Sequence, residues 1–288
     1  GYEGLIRDVT YYAEQIRDEA WARLRSHYPD VPAEIPVAWL WARTAVCPNP
    51  ACGIETVLTT SWWVSKKKND RVWIQPRVVG DRVILDVVQG QSSGGPPDAP
   101  KVGRGGAFVC LACGGVVGEK SVVEQGLAGR LGLRMTCVVY EQDGQRKYRA
   151  PSDQDVQCAF LPFPDDDFPD IKLPDIPRWF SGPRFGFTTQ RSLYTHRQLA
   201  THMVFADLVA EVHEVVVHDG GSPEWADAIT TMLGLAVGKM IQVASTLAIW
   251  RHEPTAKAEA ALSSHSMPMM WDFPEVFTFG GSVGDWLG

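Results

Sequence analysis

Cys47-Pro-Asn-Pro-Ala-Cys52 and Cys110-Leu-Ala-Cys113 are the two stretches on which the fold turns. Each pair lies in a turn-forming sequence and runs into glycine, Gly53 after the first and Gly114-Gly115 after the second. Glycine lets the backbone curl beneath an ion while two close thiolates converge on it. Tetrahedral zinc takes four such ligands at about 2.3 Å, and a closed four-cysteine shell leaves no position for substrate. The spacing therefore predicts one shared structural zinc on Cys47, Cys52, Cys110 and Cys113. A disulfide pair or inert buried thiols are the competing readings, and iron in place of zinc stays open. Cys137, in the apolar run Met135 to Tyr140, and Cys158 stand alone and read as packed side chains.

A chain of 288 residues is long enough for one large or two small domains. No apolar run reaches the roughly 18–20 residues needed to cross a bilayer. The longest, Ile229 to Trp250, is broken by Lys239 and Gln242. No secretory segment opens the chain and the cysteines come in close pairs, so a cytoplasmic protein without membrane contact is expected. The formal charge of -7 argues against a surface that binds nucleic acid all over. Its distribution is uneven: residues 1–150 hold 19 basic and 16 acidic side chains, and 151–288 hold 8 and 18. Phosphate neutralisation needs local positive potential, so any DNA-facing surface belongs to the cysteine-bearing half.

Around the cysteines the pattern is mixed. Residues 3–27 read as an amphipathic helix with Leu5, Val9, Tyr12, Ile16, Ala20 and Leu24 on one stripe. Val37 to Val46 reads as an extended segment delivering the first cysteine pair. Thr56 to Ser65, Arg71 to Val79 and Arg82 to Val88 read as strands of a meander, and 89–106 as a Gly/Ser/Pro-rich loop. Ser121 to Ala128 is a short helix, Leu133 to Tyr140 and Arg146 to Arg149 a hairpin, and Ser152 opens another short helix. A Pro/Asp-rich connector follows from Leu161 to Pro183. Thr195-His196-Arg197-Gln198 is a capping box opening a helix to about Val217, and Ser222-Pro223-Glu224 opens one to about Trp250. A short helix over Ala256 to Ser263 and an aromatic-rich tail, Trp271 to Trp286, complete the reading. The expected class is α+β: a zinc-ribbon β-region with an N-terminal helix, then a helical region. The expected domains are 1–160 and 161–288.

The tip Lys66-Lys67-Lys68, with Arg71 after it and Trp62 and Trp63 before it, is the candidate nucleic-acid contact. Lysines at a hairpin tip reach phosphates and a neighbouring indole stacks on a base. The plainer reading is a solvated tip with one tryptophan in the core. Gly103-Arg104-Gly105-Gly106 lacks the helix and Lys-Ser pair of a phosphate loop. His196, His202, His213 and His218 read as helix-surface histidines, with no nucleophile order around them. The sequence has no Gly-rich strand-to-helix turn for S-adenosylmethionine and no Asp/Asn-Pro-Pro-Tyr/Phe element, so no catalytic residue is assigned.

Several blocks carry a resemblance. They are Pro36 to Thr44 running into Cys47 to Gly53, Ser65 to Lys68, Glu124 to Arg130, Thr195 to Leu199, and Met267-Pro-Met-Met-Trp-Asp-Phe273. In wording and order this nearly whole-chain set resembles the prokaryotic zinc-ribbon-containing adenine-specific DNA methylases, enzymes of restriction-modification chemistry. The resemblance implies a parent enzyme whose S-adenosylmethionine motif precedes such a segment and whose Asp-Pro-Pro-Tyr motif follows it. It implies DNA and the remaining methyltransferase domain as partners, and zinc on the four cysteines. Gly1 and Gly288 suit a piece cut from a longer chain, not catalytic alone. An interaction module that docks a protein through its ribbon and helices, with no DNA contact, is the alternative.

Overall fold

The computed structural model describes residues 1–89, 94–162, 168, 170–176, 179–261 and 266–288. Parts of the expected 89–106 loop and 161–183 connector, and the end of the expected helix at Ser263, lie outside the described residues. The elements run α1 (Tyr2–Leu24), β1 (Ile35–Val46), β2 (Glu55–Leu58), β3 (Trp63–Lys67), β4 (Asp70–Val79) and β5 (Arg82–Gln89). Next come β6 (Lys101–Val102), β7 (Ala107–Val109), β8 (Val116–Val117), α2 (Glu119–Leu127), β9 (Gly132–Gln142), β10 (Gln145–Arg149) and α3 (Asp153–Ala159). Then follow α4 (His196–His218), α5 (Pro223–Val243), β11 (Ile249–Arg251), β12 (Lys257–Glu259) and β13 (Asp272–Val276). The mixed helix-and-strand class expected from the sequence is what the chain adopts.

Everything is organised on β1. It pairs antiparallel with β9 on one side and β13 on the other, while its last four residues pair with β2. Val37 to Ala45 are buried without interruption, the signature of a strand covered on both faces. Alternate side chains enter different cores, as a pleated strand requires. Trp39 and Trp41 pack into a helical core with Ile16 and Leu24 of α1, Phe205 of α4, and Ile229 and Leu233 of α5. Ala38, Leu40 and Ala42 face the other way, into a core with Val64, Val72, Phe108 and Val117 of the smaller sheets. Those sheets are β3-β4-β5 and β6-β7-β8.

The helical core is therefore shared across the boundary expected at residue 160, since α1 and β1 pack on α4, α5 and the segment around β13. A buried ion pair sits at that junction. Arg197 Nε donates to Glu275 Oε1 at 3.0 Å and a terminal nitrogen to Oε2 at 3.1 Å, with both residues about 1% exposed. The guanidinium lies 3.9 Å from the Trp39 ring centroid, and Trp41 Nε1 and the Thr195 hydroxyl also donate to Glu275. The Thr195 capping box forms as read: Gln198 N–H donates to Thr195 Oγ1, and Thr195 N–H to Gln198 Oε1.

Three expectations are corrected. The single strand at 56–65 is two strands in different sheets, because Thr59 and Thr60 turn away to bond Asp272. Helix α5 stops at Val243, not near Trp250: the chain turns at Ser245 and Thr246, whose hydroxyl takes a hydrogen bond from Arg43 and donates to the Leu193 carbonyl. Where a helix was expected from Ala256, Lys257–Glu259 is a strand paired with Ile249–Arg251. The aromatic-rich tail contributes β13, the edge strand beside β1.

Candidate metal centre

Strand β1 ends by delivering Cys47, and β2 carries the chain away after Cys52 and Gly53. Strands β7 and β8 do the same for Cys110 and Cys113. Both turns are knuckles closed by their own backbone. Cys47 N–H donates to the Ile54 carbonyl at 2.9 Å, and Gly53 N–H to Asn49 at 3.0 Å. In the second knuckle Cys110 N–H donates to Gly115 at 2.8 Å, and Gly114 N–H returns to Cys110 at 2.9 Å. Gly53 and Gly114 take φ of +61° and +69°, the left-handed region that a side chain disfavours.

The four sulfur atoms lie within 4.8 Å of one another, and no other group of three or more such ligands meets among the described residues. Cys47 Sγ is 3.8 Å from Cys113 Sγ, and Cys52 Sγ is 3.8 Å from Cys110 Sγ. A regular tetrahedron with metal–sulfur bonds of about 2.3 Å has an edge of about 3.8 Å, so the cage has the size the ion needs. A disulfide would bring the sulfurs to about 2.05 Å, and all six cysteines are free thiols. The four cysteines can hold a metal ion.

Backbone amides face three of the sulfurs in a regular way. The N–H two residues beyond each cysteine points back at it: Asn49 toward Cys47, Ile54 toward Cys52, Gly115 toward Cys113. Burial pushes the Cys47 thiol up to about 12, whereas the Gly115 amide draws the exposed Cys113 down to about 7. A metal that binds here displaces the proton that burial holds on Cys47.

Residues outside the cysteine motifs brace the centre. Gln125 of α2 grips the end of β1, accepting from Val46 N–H at 2.8 Å and donating to its carbonyl at 3.0 Å. The Thr56 hydroxyl accepts from Leu111 N–H at 3.2 Å, tying the two knuckles together. Sequence reading missed both, since neither side chain is near a cysteine in a recognisable spacing.

The candidate nucleic-acid residues divide. Trp62 is 2% exposed and its indole donates to the Asp98 carbonyl, so it is a core residue and offers no face to a base. Trp63 is half-buried and packs edge-on against Trp73. Lys66 is held by Glu253 at 3.2 Å. Lys67, Lys68 and Arg71, around the β3–β4 turn, form no ion pair among the described residues, and Lys68 is exposed. Of the histidines, His202 departs from the expected surface position: it is buried, with Nε2 2.7 Å from the Ala244 carbonyl.

No protein-family model, curated protein or solved structure matches this chain. No helix among the described residues is long and apolar enough to cross a membrane.

Proposed function

We propose that the four-cysteine centre holds a structural zinc ion and that the chain is the DNA-engaging segment of an adenine-N6 DNA methyltransferase. The observation that carries the DNA reading is the β3–β4 hairpin. Its base is anchored in the core through Trp62 and Val64, while its tip leaves Lys67, Lys68 and Arg71 without counter-ions among the described residues. A rigid arm with unmatched cations is what a phosphate backbone selects. The methylase part of the reading rests on the sequence blocks from Pro36 to Phe273. In it, S-adenosylmethionine and the Asp-Pro-Pro-Tyr element belong to the parent enzyme, and no residue of this chain is given a catalytic role. Zinc, once bound to Cys47, Cys52, Cys110 and Cys113, would lock the two knuckles and so fix the hairpin to the central sheet.

The helical layer supports the second partner. Tyr2 and Ile6 on α1 and Met232 and Leu235 on α5 are exposed apolar side chains that a docked methyltransferase domain would cover. The DNA reading is tested by fluorescence anisotropy on duplex DNA between about 50 and 200 mM salt, conditions chosen to span the steep part of the electrostatic dependence. Replacing Lys67, Lys68 and Arg71 by alanine is expected to weaken binding and flatten the salt slope by about 0.9 for each phosphate that is no longer neutralised. Unchanged affinity and slope would refute the DNA reading and leave the protein-docking module in its place, tested by capture of the separately expressed methyltransferase domain.

A further inference from the structure

A cavity of about 300 Å³ opens between β1, β11, β13 and the segment 59–64 that links β2 to β3. Two half-buried indoles, Trp63 and Trp250, line it, and the almost wholly buried Trp41, Trp62 and Phe273 pack behind them. Into it faces Asp272, the first residue of β13. Asp272 Oδ2 accepts from the Thr59 hydroxyl at 2.7 Å and from Thr60 N–H at 3.2 Å, and Oδ1 accepts from the Thr60 hydroxyl at 2.9 Å. These neutral donors orient the carboxylate without neutralising it. No ion pair to Asp272 forms among the described residues, and burial raises its pKa from the ordinary value.

The other charged groups of the lining are already matched. Arg251 Nε lies 2.7 Å from Glu259 Oε2, and Glu253 is paired with Lys66. His252 is held toward its neutral form, mainly by burial. One carboxyl, Asp272, is therefore left without a counter-charge inside the cavity. At the rim the protein already shows the complementary chemistry: Lys66 Nζ lies 5.7 Å from the centroid of Trp63, beside the Glu253 carboxylate. A desolvated carboxylate flanked by aromatic faces attracts a positive charge and repels an anion. The volume matches the small end of ligand pockets, enough for a charged head and a few carbons.

We propose that this cavity binds a small organic cation, a guanidinium or alkylammonium head group that donates N–H to Asp272 and lays its carbons against the indole walls. The head group comes from a free small molecule or from an arginine or lysine side chain of a partner peptide. This site is independent of the DNA reading, since it uses a carboxylate where DNA binding uses the lysines.

The test is a titration of the 288-residue chain followed by its intrinsic tryptophan fluorescence, because the indoles of Trp63 and Trp250 line the site. The probes are ethylguanidinium, butylammonium, a capped Gly-Arg-Gly peptide, and ethylurea as the neutral isostere of the first. A saturable response to ethylguanidinium or butylammonium but not to ethylurea is expected. Asp272→Asn should weaken it about tenfold or more, the loss typical of a hydrogen bond to a charged group. Lys66→Ala should tighten it by freeing Glu253 as a second anion, whereas alanine at Lys67 and Lys68, which weakens DNA affinity, should leave it unchanged, so the two readings fail separately. A peptide that binds at least as tightly as ethylguanidinium assigns the head group to a partner's side chain, and a weaker one to a free molecule. Equal binding of ethylurea, or an Asp272→Asn chain that binds as before, overturns the proposal. If that variant loses its fold, the ethylguanidinium–ethylurea comparison and Lys66→Ala decide alone.

Discussion

Glu275→Ala tests whether the two halves of the chain are held by one buried charge pair. In the native protein this carboxylate accepts four hydrogen bonds: two from Arg197, one from Trp41 Nε1 at 2.6 Å, and one from the Thr195 hydroxyl at 2.9 Å. Arg197 is 1% exposed, and it also donates to the His27 carbonyl at 3.0 Å. Truncating Glu275 leaves a guanidinium in the core with the Trp39 and Tyr28 rings as its compensation. Breaking a buried pair from one side costs about 3–5 kcal/mol, and each orphaned neutral donor adds to that. Replacing both partners, Arg197→Met with Glu275→Leu, should recover most of the loss, because an apolar pair needs no counter-charge. Urea unfolding reads both: with an m-value of about 3 kcal/mol/M, the single variant should lose about 1–1.7 M in midpoint. A single-variant cost below about 1 kcal/mol, or a double variant worse than the single, would refute the account.

Three further outcomes follow from the geometry. X-ray absorption on the protein loaded with zinc should show four sulfurs at about 2.3 Å and one metal per chain, and affinity should fall on acidification because the thiols must lose their protons. Gly126→Ala would place a methyl 2.2 Å from the Phe185 carbonyl oxygen and should destabilise by about 1–3 kcal/mol, whereas Gly234→Ala, with open space in the exposed middle of α5, should stabilise by about 0.5–1 kcal/mol in the same melts. Burial depresses His202 to about 4, so the unfolded chain takes up its proton first: this contribution is intact above about pH 6.5 and falls by about 3 kcal/mol between there and pH 4. Substituting His202 by Gln should flatten that part of the stability–pH curve.

Local chemistry was readable where it is also decisive. The stripe of Tyr12, Ile16, Ala20 and Leu24 is the buried face of α1, and Thr195 and Ser222 cap the helices they were expected to cap. The four cysteines meet because each pair already carries its own turn, leaving the fold only to bring two knuckles together. What escaped reading depends on partners far along the chain. Thr59 and Thr60 look like strand residues until Asp272, more than two hundred positions later, takes their hydroxyls. Ala256 to Ala261 has helix-forming composition, yet Ala256 adopts φ of +50° and the next three residues pair with β11. Trp62 and Trp63 could not be told apart by type, and only the packing of Val64, Ile74 and Phe108 shows which one is covered.

The pairing of β1 with β13 has a consequence for how the protein is made. Ala38 to Ala42 find their partners at Asp272 to Val276, so one side of the innermost strand stays open until nearly the whole described chain has left the ribosome. During synthesis that side presents free amides and carbonyls flanked by Trp39, Leu40 and Trp41, an adhesive edge. Shortening the chain before Asp272 should therefore give insoluble material rather than a smaller folded unit.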